Sequence, residues 1–357
     1  MCMRQPVGAF MSKQDRSGST VHHHLIGGAE SNGLYVARDD APSNPLASPA
    51  LRDRVYRLLC NGQLSAVHKQ YVTARKLPAQ QVALYTTMPY SQESRSELAQ
   101  EIAKQVEPRG VPGFWLDPSG VWQLEGPSGM ILPVKNDRGQ IISCQVNTEA
   151  AISAFLLYTM HGNPIPDDKK PWTKYGWLSS APKDEEKQGR VVWKRSTGVG
   201  ADAKPHFASF QQRDPLGLGV PPETWIVEGT MKADTVAALT TLEVIGQPGV
   251  SVGGQMVAKA VMPCRRVCIA YDMDWQTKQP VDVALAGLIS HIAAVRPLQG
   301  VDVLTWPSEF KGIDDLLIAN EASDAVDYLG RIPAEQWREE FLQRQERRET
   351  LSVMDWD

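Results

Sequence analysis

Residues 224–274, TWIVEGTMKADTVAALTTLEVIGQPGVSVGGQMVAKAVMPCRRVCIAYDMD, decide the fold because they alternate short apolar runs with helical segments. The run WIV leads into KADTVAALTTL, EVIGQPGV leads into GQMVAKAVM, and RVCIAY leads into the later segment PVDVALAGLISHIAAV. In a fourth unit, VDVLTWP leads into GIDDLLIAN. Four strand–helix units in series predict an α/β domain with a mostly parallel four-stranded sheet and flanking helices.

Acidic residues follow three of these predicted strands. Glu228 comes directly after the first, Asp272 and Asp274 follow the third, and Asp314 and Asp315 follow the last. Because the carboxyl ends of parallel strands meet at one edge of a sheet, we expect the acids to lie together. Taken singly, Asp-x-Asp after a strand is also typical of a turn or a helix cap. The joint pattern indicates a site for a divalent cation, which prefers oxygen ligands and offsets repulsion between the carboxylates.

The whole-chain composition narrows the class of protein. The chain has 357 residues and a formal net charge of -4, which does not indicate bulk coating of nucleic acid but allows a local basic groove. No apolar run approaches the roughly 20 residues of a membrane span, and no signal-peptide core is present, so we expect a cytoplasmic protein without membrane contact. The five cysteines are scattered without a Cys-x-x-Cys pair, which argues against zinc.

Changes in residue pattern along the chain predict five segments. Residues 1–48, rich in Ser, Gly, Asn, Asp and Pro, are typical of a disordered leader. Residues 49–110 have helical spacing of apolar residues and predict a helical N-terminal lobe. Residues 111–220 predict a β-rich lobe with hairpins around 117–120 and 136–139. Residues 221–330 form the α/β domain, and residues 331–357 a C-terminal helix and tail.

Three segments resemble the motifs of the Toprim domain, which is shared by bacterial-type primases, type IA and II topoisomerases and several nucleases. VEGTMKADTVAAL resembles its glutamate motif, IAYDMD its Asp-x-Asp motif, and KGIDDLL its third acidic motif. Upstream, GMILPVKNDRGQIISCQV is similar to the strand pair that opens the catalytic core of bacterial replicative primases, and KYGWLSS is similar to the Lys-Tyr segment after it. Residues 50–325 as a whole resemble the primase-like Toprim proteins of plasmids, phages and integrative elements.

The resemblance implies a role for each acidic residue. Asp272 and Asp274 would bind Mg²⁺ or Mn²⁺, Asp314 and Asp315 would hold a second ion, and Glu228 would act as general acid/base or as a further ligand. The implied activity is that of a metal-dependent nucleotidyltransferase resembling DNA primase. It would make primers from nucleoside triphosphates on a single-stranded DNA template, for replication of a mobile element.

Further residues are candidates for binding nucleotide or nucleic acid. Lys232 falls in the first turn of the helix after Glu228, where it can meet a phosphate or remain a solvated lysine. Lys174, Tyr175 and Trp177 belong to a stretch of basic residues interleaved with aromatic ones, a pattern that suits single-stranded nucleic acid but also a charged loop over a small aromatic core. His206 either faces the same cleft or is a core histidine.

The sequence also departs from the replicative primases. Position 232, where primases have an acidic residue, is lysine, and neither zinc ligands nor a Gly-x-x-x-x-Gly-Lys-Ser/Thr element is present. We therefore expect any helicase or zinc-binding module to be a separate protein. Two alternatives stay open: a Toprim nuclease that uses the same carboxylates, and a non-catalytic module that binds nucleic acid or a replication partner. A topoisomerase is disfavoured because the chain lacks room for the domain that carries its nucleophilic tyrosine.

Overall fold

A computed structural model describes residues 9–14, 20–24, 43–187, 190–209, 223–249, 252–320 and 322–354. The chain divides into two units, Met1–Ala41 and Pro42–Asp357. In the first unit, strands β1 (Ala9–Gln14) and β2 (Thr20–His24) form an antiparallel hairpin that was not expected from the sequence. Most of the predicted leader lies outside the described residues.

The second unit begins with helices. They are α1 (Pro49–Leu59), α2 (Ala66–Ala74), α3 (Ala79–Val82) and α4 (Gln92–Gln105), with the short strand β3 (Thr86–Thr87) before α4. Serine hydroxyls cap three of them: Ser48, Ser65 and Ser91 each accept a hydrogen bond from the backbone N–H three residues later, at 3.1–3.3 Å. The helices α1 and α4 pack their apolar faces on the sheet that follows.

The middle of the chain is rich in strands, as predicted. The elements are β4 (Phe114–Leu116), β5 (Trp122–Leu124), β6 (Gly129–Lys135), β7 (Ile141–Thr148), α5 (Glu149–Leu157), β8 (Tyr175–Trp177), β9 (Lys183–Lys187) and β10 (Arg190–Lys194). The pairs β4–β5 and β6–β7 are the two predicted hairpins, and β9–β10 is a third. Among the described strands, β3, β6, β7 and β8 form an antiparallel sheet in the order β3-β6-β7-β8.

The C-terminal part is a mixed α/β layer structure. Its elements are β11 (His206–Ser209), β12 (Glu223–Glu228), α6 (Thr230–Leu239), β13 (Glu243–Gln247), α7 (Gly254–Val261), β14 (Arg266–Ala270), α8 (Gln279–Ala293), β15 (Val301–Thr305), α9 (Ile313–Ala319), α10 (Ala322–Ala325), β16 (Gly330–Pro333) and α11 (Ala334–Met354). None of the described helices combines the length and the apolar character that a bilayer crossing requires.

The large sheet differs from the predicted four parallel strands. Over the described residues it has six strands in the order β11-β13-β12-β14-β15-β16. The four inner strands are parallel, whereas β11 and β16 pair antiparallel at the two edges. The sequence did not reveal the edge strands because each is four residues long and lacks the apolar run of a strand buried on both faces.

Helices cover both faces of this sheet. Ile226 and Ile269 face one side, where α7, α8 and α11 pack around a core that includes Trp337. Trp225 and Val227 point to the other side and pack with α6 and α9. Side chains along β12 alternate between the two faces because a strand has a period of two. The helices pack on these faces and not at the carboxyl ends of the parallel strands, which is where open α/β sheets form their sites.

Candidate functional site

The acidic residues of three motifs meet at the carboxyl edge of the parallel strands. Glu228 ends β12, Asp272 lies two residues beyond β14, Asp274 lies in the 3₁₀ turn Met273–Gln276, and Asp314 lies in the first turn of α9. The turn after Glu228 requires Gly229, whose φ of +91° is a conformation that residues with a Cβ rarely adopt. The motif Glu-Gly therefore lets α6 begin directly after the strand.

The carboxylates influence one another electrostatically. Burial raises the pKa of Glu228, and the negative charges of Asp272 and Asp274 raise it further against the opposing effect of Lys232. Burial also raises the pKa of Asp314, whose side chain is 1% exposed, while Lys232 lowers it. Glu228 is thus close enough to Asp272 and Asp274, and Asp314 close enough to Asp272, for their charges to repel one another in partly desolvated surroundings.

Three lysine side chains contact the carboxylates of Asp272 and Asp274. The ammonium of Lys232, in the first turn of α6, contacts the carboxylate of Asp272. Lys311 Nζ lies 3.5 Å from Asp272 Oδ2 and 3.8 Å from Asp274 Oδ2. Lys278 donates a hydrogen bond to Asp274 Oδ2 at 2.7 Å. The site is therefore a cluster of both charges and not an isolated acidic patch.

Asp314 and Asp315, which the resemblance assigned together to a second ion, have different surroundings. Asp314 Oδ2 accepts a hydrogen bond from Arg75 Nη2 at 3.0 Å, which ties the N-terminal helices to the α/β part. The Asp315 carboxylate accepts a hydrogen bond from the backbone N–H of Gly312 at 3.3 Å and so caps α9. Asp314 thus faces the acidic cluster, whereas Asp315 turns toward its own backbone.

The fit of a divalent cation can be judged from the oxygen atoms. Asp274 Oδ1 and Asp314 Oδ1 are buried and have no hydrogen-bond donor among the described residues, which suits a cation that takes hard oxygen ligands. In the same part of the chain, however, no three Asp, Glu, His or Cys side chains are grouped as ligands of one ion. Carboxylate oxygens are the kind of ligand that Mg²⁺ or Mn²⁺ takes, but their grouping does not supply three protein ligands to one ion, and the ammonium groups of Lys232 and Lys311 lie at Asp272.

The predicted basic and aromatic residues lie on or near β8. Lys174 places its ammonium 5.3 Å from the ring centre of Tyr175. Partial loss of hydration, together with the positive charges of Arg75, Lys232 and Lys311, lowers the pKa of Lys174. Burial raises the pKa of Tyr175 to about 12, with a contribution from Asp314. Lys174 and Tyr175 therefore belong to the electrostatic neighbourhood of the acids.

Two other predicted residues have different surroundings. Trp177, at the end of β8, is partly buried and pairs across the sheet with Gln145. His206 is fully buried, its Nδ1 accepts a hydrogen bond from the backbone N–H of Lys135 at 3.0 Å, and its Nε2 donates to Asp234 Oδ1 at 2.8 Å. Both ring nitrogens of His206 are thus engaged inside the protein, which matches the core alternative left open by the sequence.

The structure adds residues to the site that the sequence reasoning missed. Lys278 lies four residues after Asp274, and Lys311 is the first residue of the third acidic motif, KGIDDLL, so the local sequence could have indicated both lysines. Arg75 carried none, because its partner Asp314 is 239 positions away in the chain.

Comparison with known proteins supports the fold. Residues 222–324 match a family model described as a domain of unknown function, DUF3854, and no curated protein matches the chain. The RNA polymerase domain of the DnaG primase of Mycobacterium tuberculosis is similar, with a TM-score of 0.54, 12% identity, and 81% of this chain and 85% of that chain covered. The same domain in complex with a double-stranded DNA oligomer that has a 6-nucleotide overhang has a TM-score of 0.52 and 14% identity, with 82% of this chain and 83% of that chain covered.

A DnaG primase catalytic domain bound to single-stranded DNA gives a TM-score of 0.50 at 14% identity, with 84% of this chain and 85% of that chain covered. At these identities the likeness is one of fold. The chain therefore has a mixed α/β fold similar to the catalytic core of DnaG primases.

Proposed function

We propose that this protein is a metal-dependent nucleotidyltransferase of the primase type that joins nucleotides on a single-stranded DNA template. The observation that carries the proposal is the convergence of Glu228, Asp272, Asp274 and Asp314 from separate strand ends on a primase-like fold. Clustered carboxylates of this kind are costly for folding unless a cation balances them, which is typical of a functional site.

The acidic residues have distinct tasks in this proposal. Asp272 and Asp274 hold the divalent cation, and the unpaired buried oxygen of Asp274 is available for it. A bound divalent ion lowers the pKa of an attacking hydroxyl group and offsets charge on the phosphoryl oxygens. Glu228, which ends β12 at the same edge of the sheet, exchanges the proton of the attacking hydroxyl group.

The basic residues bind the substrates. Lys278 and Lys311 are 59% and 65% exposed, so they can turn from the aspartates toward the phosphates of an incoming nucleoside triphosphate. Lys174 and Tyr175 contact the template, with the ammonium on phosphate and the ring beside a base. The resemblance to primase-like proteins of plasmids and phages extends the proposal to replication of a mobile element, with a helicase or zinc-binding module as a separate partner.

The test is a synthesis assay with the full chain. Single-stranded DNA templates, labelled ribo- or deoxyribonucleoside triphosphates and Mn²⁺ or Mg²⁺ are incubated beside a labelled oligonucleotide. We expect template-dependent products, and we expect Asp274→Asn to reduce their rate at least 100-fold, a rough scale for losing one transition-state contact. Asp168→Asn, at an exposed carboxylate, is the matched control. Shortening of the labelled oligonucleotide without synthesis would instead identify a nuclease.

One observation favours a second candidate, a non-catalytic nucleic-acid-binding module. The ammonium of Lys232 already occupies the carboxylate of Asp272, which a catalytic ion needs. For such a module we expect DNA binding that is the same with Mn²⁺ and with a chelator, no product in either assay, and no effect of Asp274→Asn. That set of results would overturn the proposed enzyme.

A further inference from the structure

The C-terminal helix α11 packs against the segment that carries Asp274. Trp337 and Arg344 are seven residues apart, about two helical turns, and so lie on the same face of this helix. Trp337 is fully buried, and its ring meets that of Trp275 edge-on, with the ring centres 5.8 Å apart. Trp275 directly follows Asp274 in the 3₁₀ turn Met273–Gln276, the acidic turn. Helix α11 therefore reaches the acidic turn from behind the sheet edge.

The guanidinium of Arg344 contacts two parts of this segment at once. Its Cζ lies 5.3 Å from the ring centre of Trp275 and 5.2 Å from that of Trp337. Its Nη2 donates a hydrogen bond to Asp282 Oδ1 at 2.9 Å, in the first turn of α8. A guanidinium can do both because its face is attracted to aromatic rings while its edge donates to a carboxylate. Arg344 therefore ties the acidic turn to the beginning of α8.

Asp282 makes this tie strong. Its side chain is fully buried, and a buried carboxylate is costly unless cations pair with it. Arg344 and Arg348 supply the positive charge from successive turns of α11, and Arg348 Nη1 donates to Asp282 Oδ2 at 3.1 Å. Separation of α11 from α8 would leave this carboxylate without its partners, so the two helices are fixed to each other here.

The acidic turn is also held from the opposite side. The backbone N–H of Met273 donates to the carbonyl of Lys311 at 3.1 Å, in the loop before α9. At the end of the turn, the backbone N–H of Lys278 donates to the carbonyl of Asp274 at 2.7 Å. The backbone that carries Asp274 thus lies between two anchors, the loop before α9 and the side chains of α11.

We propose that Arg344 is a positioning residue that fixes the acidic turn, so that α11 sets the place of the Asp274 carboxylate. Arg344 acts through Trp275 and Asp282. A shift of a functional group by about 1 Å can cost about 100-fold in rate, so a contact behind the turn can matter as much as one in the site. The expected effect on catalysis rests on the proposed function, whereas the effect on the turn does not.

Hydrogen exchange of the full chain tests the hold on the turn independently of activity. Arg344→Met removes the guanidinium and keeps an unbranched side chain. We expect the amides of Thr277 and Lys278, which donate to the Asp274 carbonyl, to exchange about 10-fold faster than in the wild type because local opening becomes easier. Amides of α6, which packs on the other face of the sheet, should exchange as in the wild type.

Arg348→Met is the matched control. It removes the other arginine from the same carboxylate, one turn further along α11, and leaves Arg344 beside Trp275. The acidic turn of this variant should exchange within about threefold of the wild type. Equal acceleration in Arg344→Met and Arg348→Met would overturn the inference, because the loss of charge at Asp282 would then account for the whole effect.

The synthesis assay gives a second readout. We expect Arg344→Met to lower kcat about 10–100-fold, because the Asp274 carboxylate is no longer held in place. Arg348→Met should keep kcat within about threefold of the wild type. A loss confined to KM would overturn the inference, since it would show impaired substrate binding and not a displaced carboxylate. Wild-type kcat in spite of faster exchange would overturn it as well.

The outcomes separate this inference from the proposed function. Unaltered exchange in a folded Arg344→Met overturns the role of Arg344 and leaves the proposed function in place. Faster exchange, with no synthesis by any of the proteins including the wild type, overturns the proposed function and leaves the hold of Arg344 on the turn in place.

A milder variant decides if circular dichroism shows that Arg344→Met does not fold. Arg344→Lys keeps the charge at Asp282 but lacks the planar group that lies against the two rings. We expect its acidic turn to exchange at least about threefold faster than that of the wild type. Exchange equal to the wild type would overturn the inference.

Discussion

The guanidinium of Arg75 lies 3.0 Å from the carboxylate of Asp314, although the two residues are 239 positions apart in the chain. Arg75 follows α2 in the N-terminal helical part, and Asp314 lies in the first turn of α9. Because Asp314 is almost entirely buried, this ion pair connects the folding of the N-terminal helices to the charge balance of the acidic cluster. Stability and the charge balance of the acidic cluster are therefore linked at this contact.

Removal of the guanidinium should destabilise the protein. For Arg75→Met we expect a loss of about 2–3 kcal/mol in the free energy of unfolding, measured with urea, because the buried charge of Asp314 loses its partner. The double variant with Asp314→Asn should recover part of that loss. Arg57→Met is the control, since the Arg57 side chain is 51% exposed and its pair with Asp53 should be worth about 0.5 kcal/mol or less. Equal losses for Arg57→Met and Arg75→Met would contradict the prediction.

A buried hydrogen-bond network joins the helical, β-rich and α/β parts. Tyr85 donates to Asp234 Oδ2 at 2.8 Å, Asp234 Oδ1 accepts from His206, and His206 accepts from the backbone of Lys135. Tyr85→Phe leaves buried partners unsatisfied, so we expect it to lower the free energy of unfolding by about 1–3 kcal/mol. Tyr90→Phe, at an exposed tyrosine, should change it by about 0.5 kcal/mol at most.

The same network tests the sequence-based hypothesis that His206 binds nucleic acid. We expect His206→Phe to destabilise the protein and to be energetically coupled to Tyr85→Phe in a double-mutant cycle, by about 0.5–3 kcal/mol. The affinity of the folded fraction for single-stranded DNA should stay unchanged. Weaker DNA binding at unaltered stability would show instead that the histidine contacts the ligand.

Binding of single-stranded DNA should depend on Lys174. We expect Lys174→Ala to weaken binding to a similar degree for all template sequences and to reduce the slope of log affinity against log salt by about one, since one phosphate contact is lost. Fluorescence anisotropy at several salt concentrations measures both quantities. Lys104→Ala, at an exposed lysine of α4, should leave the slope unaltered. A sequence-selective loss would point to base recognition and contradict a phosphate contact.

His68 should make stability depend on pH. His68 is fully buried, with its Nδ1 2.7 Å from the hydroxyl of Thr87 and its Nε2 3.0 Å from the carboxylate of Glu149. Burial lowers the pKa of His68, and the negative charge of Glu149 opposes this shift only in part. Just below the ordinary histidine pKa of about 6.5, the unfolded chain therefore binds a proton that the folded chain does not. The contribution of His68 is complete above that pH and is lost as the pH falls through the lowered pKa of the folded state.

The measurement is the free energy of unfolding between pH 7.5 and 5.5. We expect His68→Gln to show a shallower decline on acidification than the wild type, and we expect the exposed His161→Gln to follow the wild type. If the wild type and His68→Gln decline in parallel, the histidine does not carry the effect.

Local sequence was enough to predict the parallel strands, the two middle hairpins and the edge where the acids of three motifs meet. Strand and helix periodicity are short-range properties, and the carboxyl ends of parallel strands necessarily share an edge. The antiparallel edge strands β11 and β16 were not predicted, because a four-residue strand gains its stability from pairing with a neighbour and carries little pattern of its own.

The sequence by itself determined which residues carry charge at that edge, including the lysine at position 232. Only the tertiary structure decided which charges neutralise one another: Lys232 with Asp272, Arg75 with Asp314, and His206 with Asp234 in the interior. The physical reason is that electrostatic interactions depend on distance and burial, and both follow from how elements far apart in the chain pack together.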